Sequence, residues 1–358
     1  TAMTALSANP PPGVGPYTIS SVTPNASFTL TKNPKFAGFH IPGIPTGSVD
    51  AVDVTIQSNN QTEAQQVLSN QADVFDPGDT LPPSLLAQVQ SQASSRFAKQ
   101  SVAVSYSLFL NSATKPVNNP MARQAVDLAF DRTAIERLSS GFLTGGCYFL
   151  PPTVPGHTAS NSGCPGGDPT QAPSAADVAK AKQLVQQAGL AGTPVTVYSE
   201  TRQPRQSYME YYNSLLNQIG FKSTLKVIQD SVYFQTIGNK ATAPQTGFAD
   251  WSQDFPNPSD FYLLFDGRSI QPQNNENFGD VNDPHIQSEL IKLNAVPATQ
   301  ISSVANEWAS LDQFLTKNNY MVEMGYEQVP KFVSSRVNFS GVVFHPLYYW
   351  DWTSFKVK

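Results

Sequence analysis

Apolar residues change period several times along the chain, and each change predicts an element. Thr18-Ile19-Ser20-Ser21-Val22 and Ser27-Phe28-Thr29-Leu30-Thr31-Lys32 alternate around Pro24-Asn25, the pattern of a β-hairpin. Residues 49–56 alternate as a strand. Residues 60–70 place Ala64, Val67 and Leu68 on one helical face with Thr62 available as a cap, and 72–76 form a short apolar run. That strand-helix-strand spacing predicts a βαβ unit with a parallel pair. Residues 83–92 read as a helix. Residues 101–110 mix aromatic and small side chains as a strand passing between lobes would.

The second half repeats the alternation. Asn119-Pro120 opens a helix whose stripe is Met121, Ala125, Leu128 and Ala129, and Asp131-Arg132 begins another. Helices are predicted over 175–188, ended by Gly189, and over 205–219, ended by Gly220. Strands fall at 195–198 and 225–228, with a helix at 231–239. From Gly247 a strand-like run feeds a turn holding Pro256 and Pro258, and a helix over 260–265 follows. Helices at 286–293 and 301–318, a strand at 321–326 and an aromatic tail over 342–352 complete the chain. Helices and strands alternate throughout, so the fold class is α/β. No repeat of fixed period occurs.

At 358 residues the chain is long enough for two lobes or one large α/β unit. Only 14% of it is charged, with a net charge of -5 and no Lys/Arg cluster, so nucleic-acid binding lacks its electrostatic footprint. A charge-poor polar surface is compatible with export. No run approaches the roughly 18 apolar residues that span a bilayer, and no basic-then-apolar leader stands at Thr1. The residues before Pro12 read as a linker or tail, and the chain as an excised piece whose export signal lies outside it. Cys147 and Cys164 flank a loop rich in Gly, Pro, Ser and Asn. That arrangement predicts a disulfide and an oxidising compartment, against the alternative of two unrelated thiols.

Catalytic signals are thin. Ser112-Ala113-Thr114-Lys115 matches S-x-x-K without the companion elements such enzymes need. No nucleophile elbow, zinc-protease helix or phosphate loop is present, and the four histidines are scattered. Asp250 and Asp254 form a local acid pair that suits acid/base work or a binding clamp equally. Around them, Trp251 to Phe255 alternates aromatic and acidic side chains in a loop stiffened by proline. A ring beside a fixed carboxylate suits capture of a small amine-bearing ligand. The competing reading is a surface loop with a helix cap at Ser259 or Asp260.

Several pieces together resemble the extracytoplasmic solute-binding proteins of family 5, which serve peptide, oligopeptide and nickel ABC importers. Gly13-Val14-Gly15-Pro16-Tyr17 looks like the family's G-x-G-P-[YF] element, with Asn33-Pro34 following. Gln66 through Val74 is similar to its L-x-x-G-x-x-D step, with Asn70 in the glycine's place. Leu110-Asn111 and Pro120 through Arg132 resemble its N-x…P-x-x-D-x-R-V-R-Q-A motif, the most specific of the matches. Gly247 to Phe261 resembles its G-W-x-x-D-Y-x-D-P-x-x-F segment, and Tyr349-x-Asp351 its closing strand.

The resemblance implies a type II periplasmic-binding-protein fold: two lobes joined by a hinge, with the family's N-terminal part missing. It assigns 1–109, including the βαβ unit, and 327–358 to one lobe, and 110–326 to the other. It implies a non-enzymatic binding component of an ABC importer, extracytoplasmic, taking a peptide-like or small polar solute and meeting a membrane permease. It implies no cofactor, no metal and a monomer when intact. The rivals are a secreted hydrolase with an unrecognised nucleophile and a surface sensor derived from a binding protein. By position, Asp254 matches the carboxylate that meets a ligand's α-amino group in peptide-binding members. Trp251 and Phe255 flank it, Asn111 is a further candidate contact, and Arg202 a candidate for a ligand carboxylate or else a solvated loop arginine.

Overall fold

The computed structural model describes residues 10–39, 41–57, 59–76, 81, 83–347 and 349–358; residues 1–9 of the expected tail, His40 and Tyr348 fall outside these. The chain divides into two units, one of 1–100 with 329–358 and one of 101–328.

In the first unit, β1 (Tyr17–Thr23) and β2 (Ser27–Lys32) form the expected hairpin, and β3 (Ala51–Thr55) pairs with the other edge of β2. Both pairings are antiparallel, with Phe28 opposite Val54 and Leu30 opposite Val52. This corrects the predicted βαβ unit. Helix α1 (Asn60–Leu68) does follow β3, but the described residues between it and the next helix make only an antiparallel bridge, Val74 to Val333. Alternation shows that a segment is extended but not which neighbour it pairs with. Asn70 stands at φ 61°, the left-handed conformation that asparagine tolerates in place of glycine. The Arg96 guanidinium donates to the carbonyls of Val67 and Leu68 at the C-terminus of α1. Helix α2 (Pro83–Gln92) buries Leu85, Leu86 and Val89.

Strand β4 (Phe97–Leu110) runs into the second unit. There follow α3 (Pro120–Ala129), α4 (Arg132–Leu138), β5 (Leu143–Thr144) and α5 (Ala175–Gln187). Next come β6 (Pro194–Glu200), α6 (Arg205–Ile219), β7 (Lys222–Ile228), α7 (Asp230–Ile237) and β8 (Thr246–Ser252). A 3-10 segment, Pro258–Phe265, leads to α8 (Pro284–Asn294), α9 (Ala305–Lys317) and β9 (Met321–Phe332). The six strands lie in the order β5-β9-β4-β8-β6-β7. β6 is parallel to both β7 and β8, whereas β4 and β8 are antiparallel. The fold is α/β, as the alternation predicts.

Helix α6 shows how sequence sets position here. Tyr208, Met209, Tyr212, Leu215, Leu216 and Ile219 recur at helical spacing and all are buried. Gly220 ends the helix at φ 112°, a conformation that side chains with a Cβ resist. Gly247 is needed for a different reason: a Cβ there would lie 2.5 Å from the Tyr198 carbonyl, so β8 could not approach β6.

The Cys147–Cys164 disulfide is present, with its Cα atoms 5.8 Å apart. The loop it closes is anchored from beneath by Asp312 of α9. Its buried carboxylate accepts the backbone N–H groups of Phe149 and Leu150, each at 2.9 Å. A buried Arg132–Asp127 pair at 2.6 Å fastens α3 to α4, and Asn319 donates to the same Asp127. After β9, the tail carries β10 (Phe344–His345) and β11 (Tyr349–Trp350), a short antiparallel pair. Its rings pack on Val333, Val337 and Val342 as core of the first unit.

Candidate ligand-binding site

Parallel β6 and β8 point their C-terminal ends to one edge of the second unit's sheet. In open α/β sheets that edge is where ligands bind, because the loops leaving it are free to diverge. Two loops leave here: residues 201–204 after β6, and residues 253–257 after β8. The first carries Arg202 and the second carries Asp254 and Phe255, with Trp251 near the end of β8 itself. Four of the five residues singled out from sequence therefore share one edge. Asn111 does not join them. It follows β4 at the opposite end, since Leu110 pairs with Thr246 and Ser105 with Trp251. At about 3.4 Å per residue that separates it from Trp251 by roughly 20 Å. Its side-chain oxygen instead accepts the Ala113 N–H and shapes a turn.

The loop after β8 is held by its backbone. Asp260, buried in the 3-10 segment, accepts the Asp254 N–H at 2.7 Å. Burial raises the Asp260 pKa, while the Asp254 amide and the Trp251 indole act in the opposite sense. Asp260 is thus the loop's anchor and Asp254 its exposed tip. Among the described residues the Asp254 carboxylate accepts no hydrogen bond, and the Phe255 ring beside it is 48% exposed. Glu276 has its pKa raised by partial burial and by the charge of Asp254. The edge therefore offers carboxylate charge and an open ring.

Beneath it lies a charge cluster that sequence reasoning missed. Arg205, the first residue of α6, donates to Glu200 at 2.9 Å, to Asp250 at 2.6 Å and to the Tyr106 hydroxyl at 2.9 Å. Tyr106 in turn donates to Glu327 at 2.6 Å. The guanidinium stacks over the rings of Phe248 and Tyr106, 4.6 and 4.9 Å from their centroids. Burial raises the Glu200 pKa to about 7, an interaction with Asp230 adds to it, and Arg205 opposes it. Burial also raises the Glu327 carboxyl, opposed by the Tyr106 hydrogen bond and Arg205. For Arg205 itself burial favours the neutral form, but Asp250, Tyr106 and Glu200 outweigh it and hold the cation. The acid pair read from sequence is thereby divided: Asp250 is bound to Arg205 and only Asp254 stays open. The available signal was a glutamate closing the mostly buried β6 and another inside β9. Their common partner is supplied by folding.

A separate surface cavity of about 220 Å³ lies between the 3-10 segment and α8, lined by Asn257, Ser259, Tyr262, Asp266 and Leu290. Asp254 does not line it, and the chemistry of the edge carries more weight than the volume. Among the described residues no group of three or more His, Cys, Asp or Glu side chains is placed to hold a metal ion, and no helix is long and apolar enough to cross a membrane.

Comparison with known proteins agrees with the fold. The sequence model of the bacterial extracellular solute-binding proteins, family 5 Middle, matches residues 3–273. The glutathione-binding protein GsiB of Salmonella choleraesuis (strain SC-B67) is 25% identical over 304 residues, covering 79% of this chain and 56% of that protein. The clavulanic acid biosynthesis oligopeptide binding protein 2 superposes with a TM-score of 0.83 at 20% identity, over 96% of this chain and 63% of that one. DppA from Helicobacter pylori in complex with the peptide STSA gives 0.74 at 21% identity, over 96% and 63%. The chain thus spans rather more than half the length of these relatives, and the solved structures share its fold.

Proposed function

Because the chain belongs to family 5 of the bacterial extracellular solute-binding proteins, we propose that it captures a peptide or another small amine-bearing solute and delivers it to the membrane permease of an ABC importer. It acts outside the cytoplasm as a binding component and performs no chemistry on its ligand. The observation that carries this reading is the Asp254 carboxylate, open at the tip of a loop whose backbone Asp260 fixes. A carboxylate held in place meets an ammonium with little ordering cost. Trp251 and Phe255 would give apolar cover, and Arg202, on the loop after the neighbouring parallel strand, would meet a ligand's carboxylate. The similar proteins named for glutathione and oligopeptide binding support the same ligand class.

The test is calorimetric titration of the wild type and Asp254→Asn with the peptide STSA, with glutathione, and with their N-acetylated forms. The wild type should prefer the free amines. Asp254→Asn should lose roughly 2–5 kcal/mol toward the free ligands, as when one partner of a charged pair is removed. It should bind free and acetylated forms alike. An equal preference for free amines in both proteins would refute the assignment of Asp254.

A further inference from the structure

Three carboxylates share the Arg205 cluster beneath this edge: Glu200, Asp250 and Glu327. A carboxylate left charged and open there competes for a ligand ammonium unless something occupies it. Asp250 is partly open, its side chain 19% exposed and on the same strand that leads to Asp254. One guanidinium takes up Asp250 and Glu200 directly, and the Tyr106 hydroxyl it contacts takes up Glu327. Arginine suits this because its planar fork donates in several fixed directions at once, which a lysine ammonium on a flexible stem does not.

Resting on the function proposed above, we infer that Arg205 is a specificity-determining positioning residue. By committing Glu200, Asp250 and Glu327, it leaves Asp254 as the carboxylate that receives the ligand's amine. Arg205 does not touch the ligand: its side chain is 10% exposed and donates to Glu200, Asp250 and Tyr106 within the cluster. Its effect is on which acid the ligand finds, and so on the register in which a peptide lies at the edge. A peptide of fixed length, held at its amine, is then presented in one frame.

The experiment compares the wild type, Asp254→Asn, Arg205→Lys and the double variant, each titrated with STSA and N-acetyl-STSA. Circular dichroism checks the fold. In Asp254→Asn the preference for the free amine should vanish. In the double variant it should return to about tenfold or more, because a lysine ammonium in place of the guanidinium neutralises one acid and releases Asp250 to take the amine. A purely structural role for Arg205 would lower the melting temperature and leave the preference absent in the double variant; that outcome overturns the inference alone. If Asp254→Asn keeps the full preference, the reading of Asp254 falls and this inference falls with it. Should Arg205→Lys not fold, Tyr106→Phe in the Asp254→Asn background keeps the ring over the guanidinium and releases Glu327. No regained preference there is equally an overturning result.

Discussion

Asp312 is one carboxylate on which two physical effects pull in opposite directions. It is fully buried on α9 and receives two backbone N–H groups of the disulfide loop. Burial raises its pKa from 3.8 to about 7, against the pull of those two hydrogen bonds. The folded state therefore holds the proton longer than the unfolded chain. Stability from this group is greatest below the unfolded value and falls as pH rises through the folded one. Each pH unit of difference is worth about 1.4 kcal/mol, so roughly 4 kcal/mol is lost between about pH 4 and pH 7. Asp312→Asn keeps the shape but offers one acceptor oxygen for two donors. Leaving one buried N–H unsatisfied costs about 1–3 kcal/mol at any pH. Urea unfolding followed by tryptophan fluorescence, run from about pH 4 to pH 8, separates the two effects. The variant should be less stable than the wild type by about 1–3 kcal/mol in acid. The gap should close or reverse by about pH 8, because only the wild type has a proton to lose. A gap that widens with pH would mean that the two amides win and the carboxylate is ionised in the folded protein, refuting the argument.

Two further stability predictions follow from local geometry. Replacing Cys147 and Cys164 by serine should cost about 3 kcal/mol, the loop-closure value for a separation of 17 residues, and an unchanged urea midpoint would contradict it. Gly220→Ala should cost about 1–2 kcal/mol from backbone strain alone, since the nearest atom to an added Cβ is 3.8 Å away; thermal unfolding at unchanged stability would show that α6 ends in another way.

The sequence was most readable where one local rule decides the outcome. α6 begins at Arg205 and ends before Gly220 as its period and glycine predict. α5 ends just before Gly189 as predicted, and the disulfide closes a short loop. The partner of β3 was not readable, because a period of two carries no information on strand direction. Nor was the Arg205 cluster. Tyr106 and Arg205 are 99 residues apart, and Tyr106 and Glu327 are 221 apart. Motif position brought Trp251, at the end of β8, to the same edge as Asp254 and Phe255 in the loop after it, but it misplaced Asn111, whose motif sits at the other end of β4. It also gave no sign that Asp250, four residues before Asp254, was already taken.

β4 and β9 are neighbours in one sheet, and they are also the two strands by which the chain enters and leaves the second unit. Residues 101–328 thus begin and end side by side, like a loop drawn closed at its neck. Such a segment is modular. It can be lifted out, rejoined at its ends by a short linker, or opened at a surface turn such as 189–193 with its strand order intact. Evolution has the same freedom: a domain whose two ends meet can be exchanged between scaffolds as a single cassette, carrying its acid-bearing edge with it.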